Sequence, residues 1–259
     1  FIKLPTKIIK IIDKETTFHF DVLEKFKNKG ISKVIIEESD YIRIMREAVQ
    51  FMNISLKTEL YNEEINIETQ FDSLINVRWA LKKVGMSPAY LELADNILKC
   101  TLSNINKGNF SKLLLKLRNK EGYILDLSFF TGYISAALAS QFNWCTKDNI
   151  ESLVKASMIM DIALSKNELA SIVSLKTQRF DTLKLKCKKK VEEHTLNAKD
   201  YFSGSLGLTE EVKNLVINHH ERPSGKGFPK GLTEEQITPL CAIFILSHQL
   251  AHQFVSTGL

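Results

Sequence analysis

The chain has 259 residues, of which 44% are hydrophobic and 25% are charged. This composition predicts a folded protein with a sizeable core, and it excludes a peptide hormone, a collagen-like chain and a disordered one. The formal net charge of +5 permits an anionic ligand but is too small to indicate a protein that binds duplex nucleic acid.

The cysteines and the hydropathy pattern favour a cytoplasmic protein. The four cysteines are widely spaced and form no CxxC pair, which is typical of reduced thiols in an intracellular protein. No run of 18 apolar residues predicts a membrane span, and the sequence shows no secretory leader. The chain opens at Phe1 without a Met, so the sequence leaves open what precedes that residue.

Residues 1–53 are predicted to form a small α/β regulatory module. Residues 18–22 alternate as a strand does, residues 23–28 favour a helix that Gly30 ends, and residues 33–36 form a β-branched run. Residues 54–72 then carry five acidic side chains with little apolar periodicity. This second segment is predicted to be a solvated acidic linker.

Residues 73–259 are predicted to form a helical domain, so the fold class is mainly α. Apolar residues recur there at intervals of three and four, as they do on one face of an α-helix, and no β-rich segment interrupts them. The helical stripes lie at residues 73–81, 91–98, 110–118, 123–142, 149–164, 184–203, 209–219 and 233–256. They indicate a bundle of about seven or eight helices.

Histidine placement is the strongest chemical signal in the sequence. Five of the six histidines lie in the last 66 residues, at His194, His219, His220, His248 and His252. Neutral imidazole is a good ligand for iron, zinc, manganese and nickel, and helix bundles build metal sites from side chains of several facing helices. The pattern therefore predicts a metal site where separate helices converge.

The most specific segment runs from His219 to Pro229 and reads HHERPSGKGFP. It closes a predicted helix and enters a loop that contains two glycines and two prolines. This segment resembles the hallmark HHExxDGxGYP of the HD-GYP domain, a bacterial branch of the HD metal-dependent phosphohydrolases, with Ser224 in place of Asp and Phe228 in place of Tyr. The resemblance covers about residues 110–256 and implies an HD-GYP-like helical bundle.

The flanking segments match the other metal-ligand positions of that family. Asp161 matches the aspartate in the family helix of the type AAxLHDIGK, and His194 matches a lone metal-binding histidine. Leu127 and Met160 stand where the family has two further ligand histidines. His248 stands where the family has an aspartate, and a histidine can also ligate a metal.

The resemblance implies a metal site with a reduced set of ligands. In the family, two or three metals bridge a hydroxide that attacks phosphorus in cyclic di-GMP. The implied ligands here are Asp161, His194, His219, His220 and His248, with Asp161 also the catalytic bridge if the protein is active. Because leucine cannot coordinate and methionine suits a hard iron or manganese ion poorly, we expect no metal or one divalent ion, iron or manganese if present. Alternatively, these residues are inherited polar groups that hydrogen-bond to one another around a filled cavity.

The loop after the paired histidines is a predicted ligand or partner surface. Its residues are Arg222, Lys226, Gly227, Phe228, Pro229 and Lys230. The glycine permits unusual backbone geometry, and Phe228 with Pro229 is expected to form a stiff apolar tip between basic residues. The resemblance implies cyclic di-GMP or a related nucleotide as ligand and a GGDEF-type protein as partner. Alternatively, the loop keeps these residues only because it must fold.

Three functional interpretations follow. The favoured one is a catalytically impaired protein of bacterial cyclic di-GMP signalling that senses a ligand or docks a partner. The second is a metal-dependent cyclic di-GMP phosphodiesterase with an altered ligand set, and the third is a helical interaction module that binds neither nucleotide nor metal. Exposed apolar faces on the N-terminal module would favour a homodimer.

Overall fold

The structure is a computed structural model. It describes residues 2–3, 8–9, 25, 28–29, 38–62, 67–83, 88–106, 122–201 and 208–257. The chain divides into two compact units, residues 1–47 and residues 48–259.

The first unit contains two short strands among its described residues. Strand β1 (Ile2–Lys3) pairs with β2 (Ile8–Ile9) in antiparallel fashion, with Ile2 opposite Ile9. The strands predicted at residues 18–22 and 33–36, and most of the helix predicted at 23–28, lie outside the described residues. The α/β module therefore stays a prediction.

The described part of the chain is mainly helical, as the apolar periodicity predicts. Its α-helices are α1 (Glu38–Asn62), α2 (Ile67–Lys83), α3 (Pro88–Asn106), α4 (Tyr123–Ala139), α5 (Lys147–Ile159), α6 (Asn167–Ala170), α7 (Gln178–Asp181), α8 (Leu185–Asn197), α9 (Glu210–Asn218) and α10 (Pro239–Thr257). Short 3-10 helices lie at Ala198–Tyr201 and Glu234–Gln236. The helix predicted at residues 110–118 falls outside the described residues.

Helices occupy most of the segment predicted to be an acidic linker. Residues 54–62 belong to α1 and residues 67–72 belong to α2. In α1, the buried residues Val49, Asn53 and Leu56 follow one another at intervals of four and three. This helical spacing is hidden in the sequence because its middle member is polar.

Helix α4 lies at the centre of the packing that positions the site. Its side chains Leu127, Phe130 and Tyr133 are each at most 1% exposed, and burial extends to most of its other residues. A helix that is buried on nearly all sides must be covered by its neighbours, and α4 packs mainly against α10 and α5. The chain leaves α5 just before Asp161, so this packing brings that residue close to α10.

Side-chain caps determine where two of the helices near the site begin. Thr146 accepts a hydrogen bond from the backbone N–H of Asn149, and the Asn149 side chain accepts one from the N–H of Thr146, which together form a capping box at α5. Thr209 accepts from the N–H of Val212 at the start of α9. Since a helix advances by a constant rise per residue, a fixed start also determines which residue reaches the site.

None of the helices in the described ranges is both long enough and apolar enough to cross a bilayer.

Candidate metal centre

Four predicted ligands come together in one buried cluster: Asp161, His194, His219 and His220. Their ligating atoms lie within 4.8 Å of one another, and each side chain is at most 1% exposed. Asp161 lies in the turn after α5, His194 in the last turn of α8, and the two adjacent histidines in the turn after α9. Separate helices thus converge on one point, as the histidine pattern predicts.

The backbone determines which ring nitrogen faces the cluster. His194 Nδ1 lies 2.7 Å from the carbonyl oxygen of Val191, and His219 Nδ1 lies 2.6 Å from that of Val216. A carbonyl oxygen only accepts hydrogen bonds, so Nδ1 must donate in both rings. In the neutral imidazole, Nε2 is then the nitrogen with a free lone pair, which is the state that ligates a metal.

Three acceptor atoms consequently face one another. The two Nε2 atoms of His194 and His219 are 3.4 Å apart, and they lie 3.3 and 3.8 Å from Asp161 Oδ1. Nitrogen ligands that share one tetrahedral ion at about 2.1 Å stand about 3.4 Å apart. These three acceptors repel one another unless a cation or an additional proton lies between them, and their spacing fits a metal ion.

The electrostatics of Asp161 agree with a cationic neighbourhood. Burial by itself would raise the pKa of this carboxyl group, but its interactions with the neighbouring rings of His194 and His219 lower the pKa well below its ordinary value. The carboxylate therefore stays ionised at neutral pH, which is the form that binds a metal.

His248 lies beside the cluster without belonging to the group of four. Its ring centroid is 5.0 Å from those of His219 and His220, and its side chain is fully buried. Burial, followed by the charges of neighbouring histidines, lowers the pKa values of His220 and His248 well below the ordinary histidine value. Both rings are therefore neutral at pH 7, but the role of His248 as a ligand stays a prediction.

Hydrogen bonding among these groups is incomplete. The atoms without a hydrogen-bond partner are both oxygens of Asp161, Nδ1 of His220 and both ring nitrogens of His248. Buried polar atoms are normally paired, so a group of unpaired acceptors and imidazole nitrogens favours a ligand over a closed hydrogen-bonded network. Leu127 and Met160 are fully buried and belong to the hydrophobic core.

The loop after the paired histidines is braced by Glu221. This carboxylate is fully buried and accepts hydrogen bonds from the backbone N–H groups of Lys230 at 2.7 Å and Leu232 at 2.8 Å. The glutamate of the motif thus ties the two ends of the loop together. The sequence marks Glu221 as part of the motif but does not reveal this bracing role.

The structure differs from the expected apolar tip at Phe228. This ring is 5% exposed and stacks on His220, with centroids 4.4 Å apart and planes 16° apart. Lys226 and Lys230 are exposed, whereas Arg222 is half-buried and donates to the carbonyl of Val173. Phe228 therefore packs over the His/Asp cluster, and the binding of a ligand or partner by this loop stays a prediction.

Gly227 allows this loop to fold closely over the motif. A Cβ atom at Gly227 would lie 2.3 Å from the backbone nitrogen of Arg222 and 2.4 Å from Cα of Glu221. Because the obstructing atoms are backbone, we expect Gly227→Ala to lower the free energy of unfolding by about 3 kcal/mol in urea denaturation. Ser224→Ala, at an exposed position of the same loop, is the control and should change it by less than about 0.5 kcal/mol. Wild-type stability of Gly227→Ala would contradict the close approach.

Two further residues near the site were not assigned a role from the sequence. Arg78 on α2 is 5% exposed and donates to the backbone oxygen of Asp161 at 3.1 Å. His252 on α10 is hydrogen-bonded to the hydroxyl group of Tyr123. No short-range pattern marks these two contacts, because each joins segments that are far apart in the chain.

Comparison with known proteins gives one family match, to part of the chain. A family model described as an HD domain matches residues 127–249. A search of the curated proteins and a search of the solved structures each gave no match. The matched range contains Asp161, His194, His219 and His220, whose cluster is compatible with a divalent metal ion. The match supports an HD-superfamily domain at residues 127–249, a type of domain associated with metal-dependent hydrolases.

Proposed function

We propose that this protein binds one divalent metal ion through Asp161, His194, His219 and His220, in a degenerate HD-GYP-type domain. The observation that carries the proposal is the set of three mutually facing acceptors, in which two Nε2 atoms and one carboxylate oxygen meet in a buried site. Histidine with carboxylate suits iron, manganese or zinc, and the iron or manganese of the resembled family is the first expectation.

We further propose that the domain senses a ligand or docks a partner in bacterial cyclic di-GMP signalling, with impaired hydrolysis. Support comes from the fully buried Leu127 and Met160, which offer no ligand suited to a second hard ion. The burial of the four proposed ligands also favours this interpretation, because hydrolysis requires that a phosphodiester and water reach the metal. The proposed ligand is cyclic di-GMP or a related nucleotide, and the proposed partner is a GGDEF-type protein.

The first test is metal content per chain by inductively coupled plasma mass spectrometry. The protein is purified without chelator, in the absence of air, and is then loaded with iron or manganese. We expect one ion per chain in the wild type and none in Asp161→Asn or His219→Gln, because the first variant replaces the carboxylate by a neutral amide and the second removes an imidazole. His252→Gln is the matched control, since this histidine contacts Tyr123 and is not one of the four ligands, and it should keep the ion.

The outcomes separate the alternatives. Wild-type protein without metal after loading would overturn the proposed metal site and favour a helical interaction module. Two ions per chain would favour the phosphodiesterase, which also requires that loaded wild-type protein linearise cyclic di-GMP faster than Asp161→Ala. Equal rates in these two proteins, together with one ion per chain, would support the impaired form.

A further inference from the structure

We infer that Arg78 and Lys82 form a basic clamp, supplied by a helix outside the HD-domain match, that positions Asp161 for metal binding. Both residues lie on α2, one helical turn apart, and α2 ends well before residue 127. This inference rests on the proposed metal site. It assigns to the preceding helix a role in a centre whose ligands all come from the HD domain.

The clamp is defined by its contacts with the end of α5. Arg78 Nη1 donates to the carbonyl of Met158 at 3.0 Å, and its Nη2 donates to the carbonyl of Asp161 at 3.1 Å. Lys82 Nζ donates to the carbonyl of Leu164 at 2.9 Å. The two side chains thus donate to three backbone carbonyls that are spaced three residues apart, on both sides of the Asp161 turn.

The backbone carbonyls at the end of α5 need hydrogen-bond donors from outside the helix. Helix α5 ends at Ile159, so the carbonyls of its last turn lack the full set of intrahelical donors. The C-terminal end of a helix also carries partial negative charge, which favours nearby cations. Asp161 adds a full charge in the turn that follows, and its attraction partly offsets the burial that lowers the pKa of Arg78 to about 10.

Arg78 also joins the end of α5 to α4. Its Nη1 lies 3.3 Å from the hydroxyl oxygen of Ser128, which directly follows Leu127. One guanidinium therefore links α2, α4 and the turn with Asp161, next to both positions at which a ligand histidine is absent. With fewer metal–ligand bonds to hold the aspartate in place, its orientation depends more on these backbone contacts.

The removal of Arg78 has opposite expected effects on metal affinity, depending on whether this residue acts through its charge or by positioning Asp161. A fixed cation near the site repels a metal ion, so if charge alone mattered, its removal would tighten binding. If Arg78 positions the aspartate, its removal lets the turn relax, and binding weakens despite the lost repulsion. The direction of the change therefore identifies the role.

The test is a titration of the 259-residue chain with Co²⁺, followed by its visible absorption bands, which report both affinity and ligand geometry. We expect Arg78→Met to bind Co²⁺ at least tenfold more weakly, with shifted bands, because it removes all three of the arginine's contacts. Arg78→Lys should lie between this variant and the wild type, because a lysine can retain one carbonyl contact. Lys82→Met should have a smaller effect, and Lys99→Met, at an exposed lysine on α3, is the control and should match the wild type.

The possible failures can be told apart. Each variant is titrated well below the unfolding temperature that it shows without metal, so that a loss of fold is not read as a loss of affinity. If Arg78→Met does not fold, the Co²⁺ affinities of Arg78→Lys and Lys82→Met, compared with that of the wild type, decide whether the clamp positions Asp161. Wild-type or tighter Co²⁺ binding in the arginine variants would overturn the clamp alone, whereas no binding by the wild type would overturn the metal site and, with it, the clamp.

Discussion

Replacement of Glu221 by alanine is expected to lower the free energy of unfolding by about 4 kcal/mol. The carboxylate is fully buried, and its two oxygens accept from the backbone N–H groups of Lys230 and Leu232. Hydrogen bonds to a charged group are stronger than neutral ones, and each buried N–H left without an acceptor costs about 1–3 kcal/mol. Urea denaturation of wild type and variant measures the difference.

A graded pair of variants distinguishes bracing of the loop from a general loss of stability. Glu221→Gln keeps the shape but turns an NH₂ group toward a backbone donor, so we expect a smaller loss, of about 2 kcal/mol. Glu235→Ala is the control, because Glu235 is exposed and its contact is with the hydroxyl group of Thr233. Faster amide hydrogen exchange across residues 222–232 should accompany the loss in Glu221→Ala. A loss below about 1 kcal/mol in that variant would contradict the bracing role.

The helices that the sequence predicts best are those whose buried face is made of apolar residues. In α4 and α10 most of the buried positions are apolar, so the spacing predicts a helix in each place. In α1 the inward row includes Asn53, whose side-chain oxygen accepts from Asn96 in the core, and the periodicity is lost. Helices α6 and α7 have four residues each, about one turn, which is too short to show a period.

In the site as well, features encoded by neighbouring residues can be predicted, whereas contacts between distant segments cannot. The motif residues His219 and His220 are adjacent in the sequence, so their place at a helix end can be predicted together with their chemistry. The contacts of Arg78 span 50 to 83 residues along the chain, and no sequence spacing encodes them. The burial of Phe228 likewise depends on the whole loop folding over His220. The sequence therefore predicts the candidate ligands better than it predicts what holds them.

The free energy of unfolding of the metal-free protein is expected to fall steeply between pH 6.5 and pH 5. Burial, and then the charges of neighbouring histidines, lower the pKa values of His220 and His248 well below 6.5 in the folded state. In the unfolded chain both rings take up a proton near pH 6.5. Below that pH the unfolded state binds up to two more protons than the folded state, so stability falls as the pH falls.

The size of the effect follows from the number of protons. Each additional proton bound by the unfolded chain contributes about 1.4 kcal/mol per pH unit, so two histidines approach a slope of about 2.7 kcal/mol per unit; because each unfolded ring is only half protonated at pH 6.5, they contribute about 3 kcal/mol over this range. The lowered pKa of Asp161 acts in a separate window, below pH 3.8, where the unfolded chain protonates and the folded one does not. Asp161 therefore adds nothing to the slope between pH 6.5 and pH 5.

Urea denaturation in the presence of a chelator, at a series of pH values, measures this slope. His248→Gln should lower this slope clearly without abolishing it, because one fully buried ring no longer titrates while His220 and the half-buried His252 still do. A constant loss of stability in the variant does not change the slope. Equal slopes in the variant and the wild type would show that His248 does not remain neutral in the folded protein. Repeated with metal, the titration should show added stability at pH 7 that disappears toward pH 5, because protons compete with the metal for the histidine nitrogens. Such a loss requires that the metal bind through the imidazoles, so added stability that persists to pH 5 would assign the ion to carboxylates elsewhere.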